Sequence, residues 1–110
     1  MATISVPEPD TIALAGEVDL NDSAELKARF APLLEGNPSR LYVDMSGVSY
    51  IDSSGLAVLI EVMQRLSPHG GKLVLYGLQP TVQNVFHISR LDQVFSIYPD
   101  RNAALNAPNS

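Results

Sequence analysis

No cysteine occurs among the 110 residues. Disulfides and thiolate metal sites are thereby excluded, and an intracellular, cytoplasmic setting is accommodated. Basic residues are scarce: seven Lys and Arg stand against twelve Asp and Glu, a formal net charge of −5. Neutralising phosphates requires a basic face, so this balance argues against a nucleic-acid binder and for protein partners. No apolar run approaches the roughly 18 residues of a membrane span. The start, Met1-Ala2-Thr3-Ile4-Ser5-Val6-Pro7, has neither the basic region nor the apolar stretch of a secretory signal. Gly-x-x-x-x-Gly-Lys-Ser and Gly-x-Gly-x-x-Gly are both missing, so no phosphate-cradling loop is readable. The aspartates are scattered and form no ligand ladder, which leaves metal binding and cofactors without support.

Only two histidines, His69 and His87, are available as a general base. Ser53-Ser54-Gly55 invites comparison with a hydrolase nucleophile elbow, but the first glycine of Gly-x-Ser-x-Gly is absent. His69-Gly70-Gly71 is explained as a glycine turn between helix and strand, and His87 as a helix-surface residue. The chain is read as a non-enzyme.

What is present is an ordinary globular composition, 45% hydrophobic and 17% charged, in a length that suits one domain over residues 1–110. Thr3–Val6 reads as a short edge strand, broken by Pro7-Glu8-Pro9-Asp10. Thr11–Val18 alternates apolar and small residues and is expected to pair back on it. Asp22 with Glu25 three residues on resembles a capping box. Leu26, Phe30, Leu33 and Leu34 follow at helical spacing, with Pro32 placed to kink the helix or start a separate last turn, and Gly36-Asn37-Pro38 to end it. Leu41–Met45 alternates as a strand, Leu41, Val43 and Met45 on one face and Tyr42 and Asp44 on the other.

The central stretch is Tyr50-Ile51-Asp52-Ser53-Ser54-Gly55-Leu56. Leu56–Leu66 has no Gly or Pro to break it and reads as a helix with an apolar arc of roughly 200° at about 100° per residue. An arc this wide suits a helix wedged between a sheet and a neighbouring helix, with one flank available to a partner. Asp52 and Ser53 fall in the strand-to-helix turn. Either side chain can cap the helix there, and a phosphate is favoured by the exposed N–H groups and the dipole.

Ser67–Gly71 reads as a turn, Lys72–Gly77 as a buried strand, and Pro80 as the first position of a helix carrying Val82, Val85 and Phe86 inward. Leu91, Val94, Phe95 and Ile97 are expected to finish the sheet, Asp100 to cap a last turn through residues 103–105, and residues 106–110 to fray. Strands alternating with helices after an N-terminal hairpin give an α/β domain with a mixed sheet.

Residues 44–56, Asp44-Met45-Ser46-Gly47-Val48-Ser49-Tyr50-Ile51-Asp52-Ser53-Ser54-Gly55-Leu56, resemble the signature of STAS domains, specifically of bacterial anti-sigma factor antagonists. Leu14-Ala15-Gly16-Glu17-Val18-Asp19 resembles the family's Gly-Glu-hydrophobic-Asp segment, Gly70-Gly71-Lys72-Leu73 its turn before the next strand, and Val82–Phe95 its closing helix and strand. The likeness runs from about Thr11 to Tyr98. It implies a single STAS domain with a mixed four- to five-stranded sheet and about four helices.

The resemblance also implies a partner switch. In that family the unphosphorylated antagonist binds an anti-sigma factor that is itself a serine kinase, freeing the sigma factor for transcription. The kinase phosphorylates the serine after the motif's Asp, which is Ser53 here, with Ser54 the less favoured acceptor. The phosphorylated form lets go, and a PP2C-type phosphatase restores it. Asp19, Asp52, Ser53, Ser54, Gly55, Leu56 and Val58 are the partner-binding candidates, in a monomer or weak dimer. Asp19 and Asp52 can equally form local turns, Ser54 suits a cap, and Gly55 suits close packing. Two other roles exist for similar domains: accessory subunits of lipid-transporting ABC complexes, and stressosome-like scaffolds. Nucleotide binding finds no Gly-rich loop in this sequence.

Overall fold

The computed structural model describes residues 2–107. Its elements are β1 (Ala2–Glu8), β2 (Thr11–Val18), α1 (Ser23–Leu34), β3 (Arg40–Ile51), α2 (Ser53–Leu66), β4 (Lys72–Tyr76), α3 (Pro80–Ile88), β5 (Ser96–Tyr98) and α4 (Arg101–Leu105). The five strands form one sheet in the order β1-β2-β3-β4-β5. β1 pairs antiparallel with β2, and every later neighbour is parallel, so the sheet is mixed as expected.

The hydrophobic pattern explains the layering. Ile12, Leu14 and Val18 of β2, Leu41, Val43 and Met45 of β3, and Leu73 and Leu75 of β4 share one core with α1, α2 and α3. Leu26 and Phe30 bring α1 into it, Val58, Leu59 and Val62 bring α2, and Val82 and Phe86 bring α3. Burying each such side chain is worth roughly 1.5–3 kcal/mol. That outweighs the modest helix propensity of the β-branched residues in α2. Phe86 meets Phe95 edge to face, with ring centroids 5.7 Å apart.

A smaller cluster joins Tyr42, Val74 and Tyr76 to Ala104 of α4. Tyr42 and Asp44 do alternate away from the main core, but Tyr42 is buried in this second one. Burial, then the charge of Asp44, pushes the Tyr76 hydroxyl above its ordinary pKa.

Several boundaries differ from the sequence reading. β1 runs through Pro7 to Glu8, with a register shift between Ser5 and Glu8. An edge strand tolerates proline because one side of it needs no ladder bond. β3 continues past Met45 to Ile51. β4 pairs only with residues 40–44 of it. Beyond that point the Gln79 side chain donates to the Ser46 carbonyl (2.9 Å). Helix α1 passes through Pro32 and ends at Leu34. Of the apolar run from Leu91, only Ser96–Tyr98 joins the sheet, and residues 91–93 form a 3₁₀ turn.

The capping box lies one turn earlier than Asp22 and Glu25 suggest. Asp19 caps a 3₁₀ turn at Leu20–Asp22: its Oδ1 accepts from the Asn21 amide (2.9 Å), and Asp22 Oδ2 accepts from the Asp19 amide (3.0 Å). Asp22 is buried, and its Oδ1 also accepts from the Ala2 amide (3.0 Å), tying β1 to this turn. The two backbone donors, Asp19 first, hold its carboxyl below the ordinary carboxylate range against the opposing effect of burial.

Asp100 caps α4 by accepting from the Ala103 amide (2.8 Å). The expected fraying does not extend to residues 106 and 107. The Asn106 side chain bonds the Asn102 carbonyl, and the Ala107 carbonyl accepts from Arg40 at 2.8 Å. The remainder of that tail, residues 108–110, lies outside the described residues.

Candidate functional site

Strands β2 and β3 end side by side, Val18 opposite Ile51. The chain turns once and enters α2. Asp52 is the N-cap, in extended backbone geometry, and its Oδ1 accepts from the Ser54 amide (2.9 Å) and the Gly55 amide (3.1 Å). Two of the helix's orphan donors are thereby satisfied by one carboxylate. The turn is fixed from below as well, because the Asp52 amide donates to the Val18 carbonyl (3.1 Å).

This frame leaves Ser53 exposed, its hydroxyl engaged by no hydrogen bond among the described residues. It stands at the positive end of the α2 dipole, where added negative charge is favoured. Ser54 is half-buried and turns into a groove of about 250 Å³ between α1 and α2, lined also by Ser23, Lys27, Ala57, Val58 and Glu61. Lys27 Nζ and Glu61 Oε2 bridge the two helices at 3.4 Å, both well exposed.

The remaining candidates from the sequence take supporting places. Gly55 is buried, and a Cβ there would lie 2.8 Å from Ile51 Cγ1 and 2.9 Å from Val18 Cγ1. Leu56 and Val58 are buried in the main core. Asp19 and Asp52 both spend their carboxylates on local caps. Ile60 and Met63, on the other flank of the apolar arc, are partly buried against the core.

The sequence reading did not single out Leu20 and named Tyr50 only as the start of the central stretch; both are exposed large apolar residues, Leu20 just beyond β2 and Tyr50 near the end of β3. It also passed over the groove residues Ser23, Lys27, Ala57 and Glu61. A leucine set among Asp19, Asn21 and Asp22 was the available signal for the first. Elsewhere, His87 Nδ1 lies 2.9 Å from Asp92 Oδ2, and the pair lines an open cleft with Pro80, Gln83 and Asn84. Neither histidine hydrogen-bonds Ser53 or Ser54 among the described residues. Among those residues, no group of three or more His, Asp or Glu side chains is placed to hold a metal ion, and no helix is long and apolar enough to cross a membrane.

Fold and site together define a small α/β domain that presents paired serines on a rigidly capped helix end. The chain belongs to the STAS domain family, which it matches over residues 3–104. BtrV of Bordetella bronchiseptica, named as a candidate anti-sigma factor antagonist, is 34% identical over 94 residues, covering 86% of this chain and 81% of that protein. The anti-sigma-B factor antagonist of Listeria monocytogenes is 30% identical over 99 residues, 86% of this chain and 87% of that one. A solved anti-sigma factor antagonist from Mycobacterium paratuberculosis has a TM-score of 0.87 at 25% identity, covering 100% of this chain and 96% of its own.

Proposed function

We propose that this chain is an anti-sigma factor antagonist whose binding to an anti-sigma factor is switched by phosphorylation of Ser53. The observation that carries the reading is the exposed, unengaged hydroxyl of Ser53 on a helix end that Asp52 has already capped. Because Asp52 supplies the cap, Ser53 is not needed for the fold and is free to be modified.

Unphosphorylated, the protein offers a partner the surface around Ser53, Ser54 and the exposed Ala57, held in shape by buried Gly55, Leu56 and Val58. Asp19 and Asp52 fix the two turns that border it. A phosphate on Ser53 adds about −1.5 to −2 charge beside the Asp52 carboxylate. The helix end tolerates that charge in the free protein, but a closing interface must strip its water and accommodate its bulk. Release is then a local event that requires no refolding. The anti-sigma factor is the serine kinase, a PP2C-type phosphatase resets the switch, and this chain is ligand and substrate in place of catalyst, acting in the cytoplasm.

The test is an affinity pull-down from host lysate with wild type and Ser53→Asp as parallel baits, read by mass spectrometry. Recovery of a small ATPase-type kinase by wild type and its loss with Ser53→Asp are expected. Recovery of transporter subunits by both baits would overturn the reading.

A further inference from the structure

Lys27 and Glu61 meet across the groove between α1 and α2, Nζ 3.4 Å from Oε2, with 58% and 50% of their side-chain surfaces exposed. An ion pair so open to water is a weak hold and gives way to a better partner. The pair also divides the groove. On one side lies the pocket that holds Ser23 and Ser54, and on the other a pocket of about 70 Å³ over Phe30, Leu34 and Val62 that reaches Arg65. Lys27 and Glu61 line both.

Each member of the pair has a second partner within the same groove. Glu61 and Arg65 stand at i and i+4 on α2, the order in which an acid and a base attract best along a helix. Arg65 is exposed and has no ion pair among the described residues. Lys27 has the serine end. Side chains lean toward the N-terminus of their helix, which for α1 is Ser23, four residues or about 6 Å of rise from Lys27. Ser23 and Ser54 share the pocket there, and Lys27 is its single base. Ser53 adjoins that end, next to Ser54 in the chain and one turn before Ala57, which also lines the pocket.

We infer that Lys27 is the internal cation for a phosphate on Ser53: it leaves Glu61 for the phosphate, and Glu61 turns to Arg65. The inference rests on the reading of Ser53 as the phosphorylated residue and adds how the mark is received within the chain. A phosphate brings more charge and more acceptor oxygens than one exposed carboxylate, so it wins the ammonium. The exchange carries the change of charge about 12 Å along α2, from Ser53 to Glu61, with no movement of the backbone. Bridged in one arrangement, the groove is open from Ser54 to Val62 in the other.

The test installs phosphoserine at position 53 during translation, so that no kinase is needed, in wild type, Lys27→Gln, Lys27→Arg and Arg90→Gln. Arg90 follows α3 and lines a different cleft, so its loss removes the same charge elsewhere. Phosphorus NMR across a pH series reads the second ionisation of the phosphate, which a neighbouring cation favours. Lys27→Gln should shift that ionisation to higher pH, while Lys27→Arg and Arg90→Gln should match wild type. With carbon-13 in the glutamate carboxyls, the Glu61 resonance should move when Ser53 carries phosphate and stay in place in Lys27→Gln. A phosphate that titrates alike in wild type and Lys27→Gln, an equal shift in Arg90→Gln, or a Glu61 resonance blind to the phosphate overturns the exchange and leaves the antagonist reading intact. Equal capture of the anti-sigma factor by unmodified and phosphoserine-bearing wild type removes the switch itself, a result the titration cannot mimic.

Discussion

The amide of Asp52 donates to the carbonyl of Val18 at 3.1 Å, which joins the cap of α2 to the last residue of β2. The helix end that displays Ser53 is therefore built from two strands and not from the turn alone. Its rigidity is a property of the sheet.

Replacing the cap should be felt at once. Asp52→Ala removes the acceptor for the Ser54 and Gly55 amides. Loss of such a cap costs about 0.5–2 kcal/mol, and Asp52→Asn should cost much less because Asn also caps. Urea unfolding of the two variants beside wild type checks the order.

Gly55→Ala should destabilise by overpacking. The added methyl meets Ile51 and Val18 side chains at 2.8 and 2.9 Å, inside ordinary contact distance. A cost of about 1–3 kcal/mol is expected. A lower midpoint of thermal unfolding, with antagonist binding weakened because Ser53 is displaced, is the predicted pair of results.

Ser53→Ala should fold with wild-type stability, since no hydrogen bond is lost among the described residues. It should accept no phosphate from the cognate kinase. Phosphate found on Ser54 in that variant by mass spectrometry would move the switch to the groove serine.

Asp22 should make the protein sensitive to acid. Its carboxyl is held below the ordinary range by the Asp19 and Ala2 amides. A lowered pKa in the folded state favours the fold above the unfolded-state value and is lost as pH falls through the folded one. Asp22→Ala should therefore lose stability near neutral pH by about 1.5–3 kcal/mol, the usual range for hydrogen bonds to a charged group. Its difference from wild type should shrink below about pH 4, the ordinary aspartate value. Denaturant melts of both proteins across pH 2–7 measure it.

Much of this was legible in the chain. The apolar arc of α2 named the side it buries, and Asp52 before Ser53 named the turn. β3 was cut short because Ser46, Gly47 and Ser49 interrupt its apolar alternation. Register shifts against β2 bring Val48 and Ile51 back to the core. Local spacing cannot show such shifts. The capping box was misplaced for a related reason: Asp22 serves Ala2, twenty residues away, and no local pattern carries that contact. The alternation put Tyr42 on the face opposite Leu41, Val43 and Met45 but could not show that this face is covered too, because α4, which covers it, begins about sixty residues later in the chain.

Arg29 Nη1 donates to the carbonyl of Ile4 at 3.1 Å, and Asp22 takes the amide of Ala2 on the same strand. A bare edge invites other chains to zip onto it and seeds aggregates. Two of the backbone groups that an incoming strand would pair with are already taken by side chains from within the molecule, and Pro7 brings no donor at all. Crowded copies of this protein should thus stay separate along that border, leaving its encounters to the helical side.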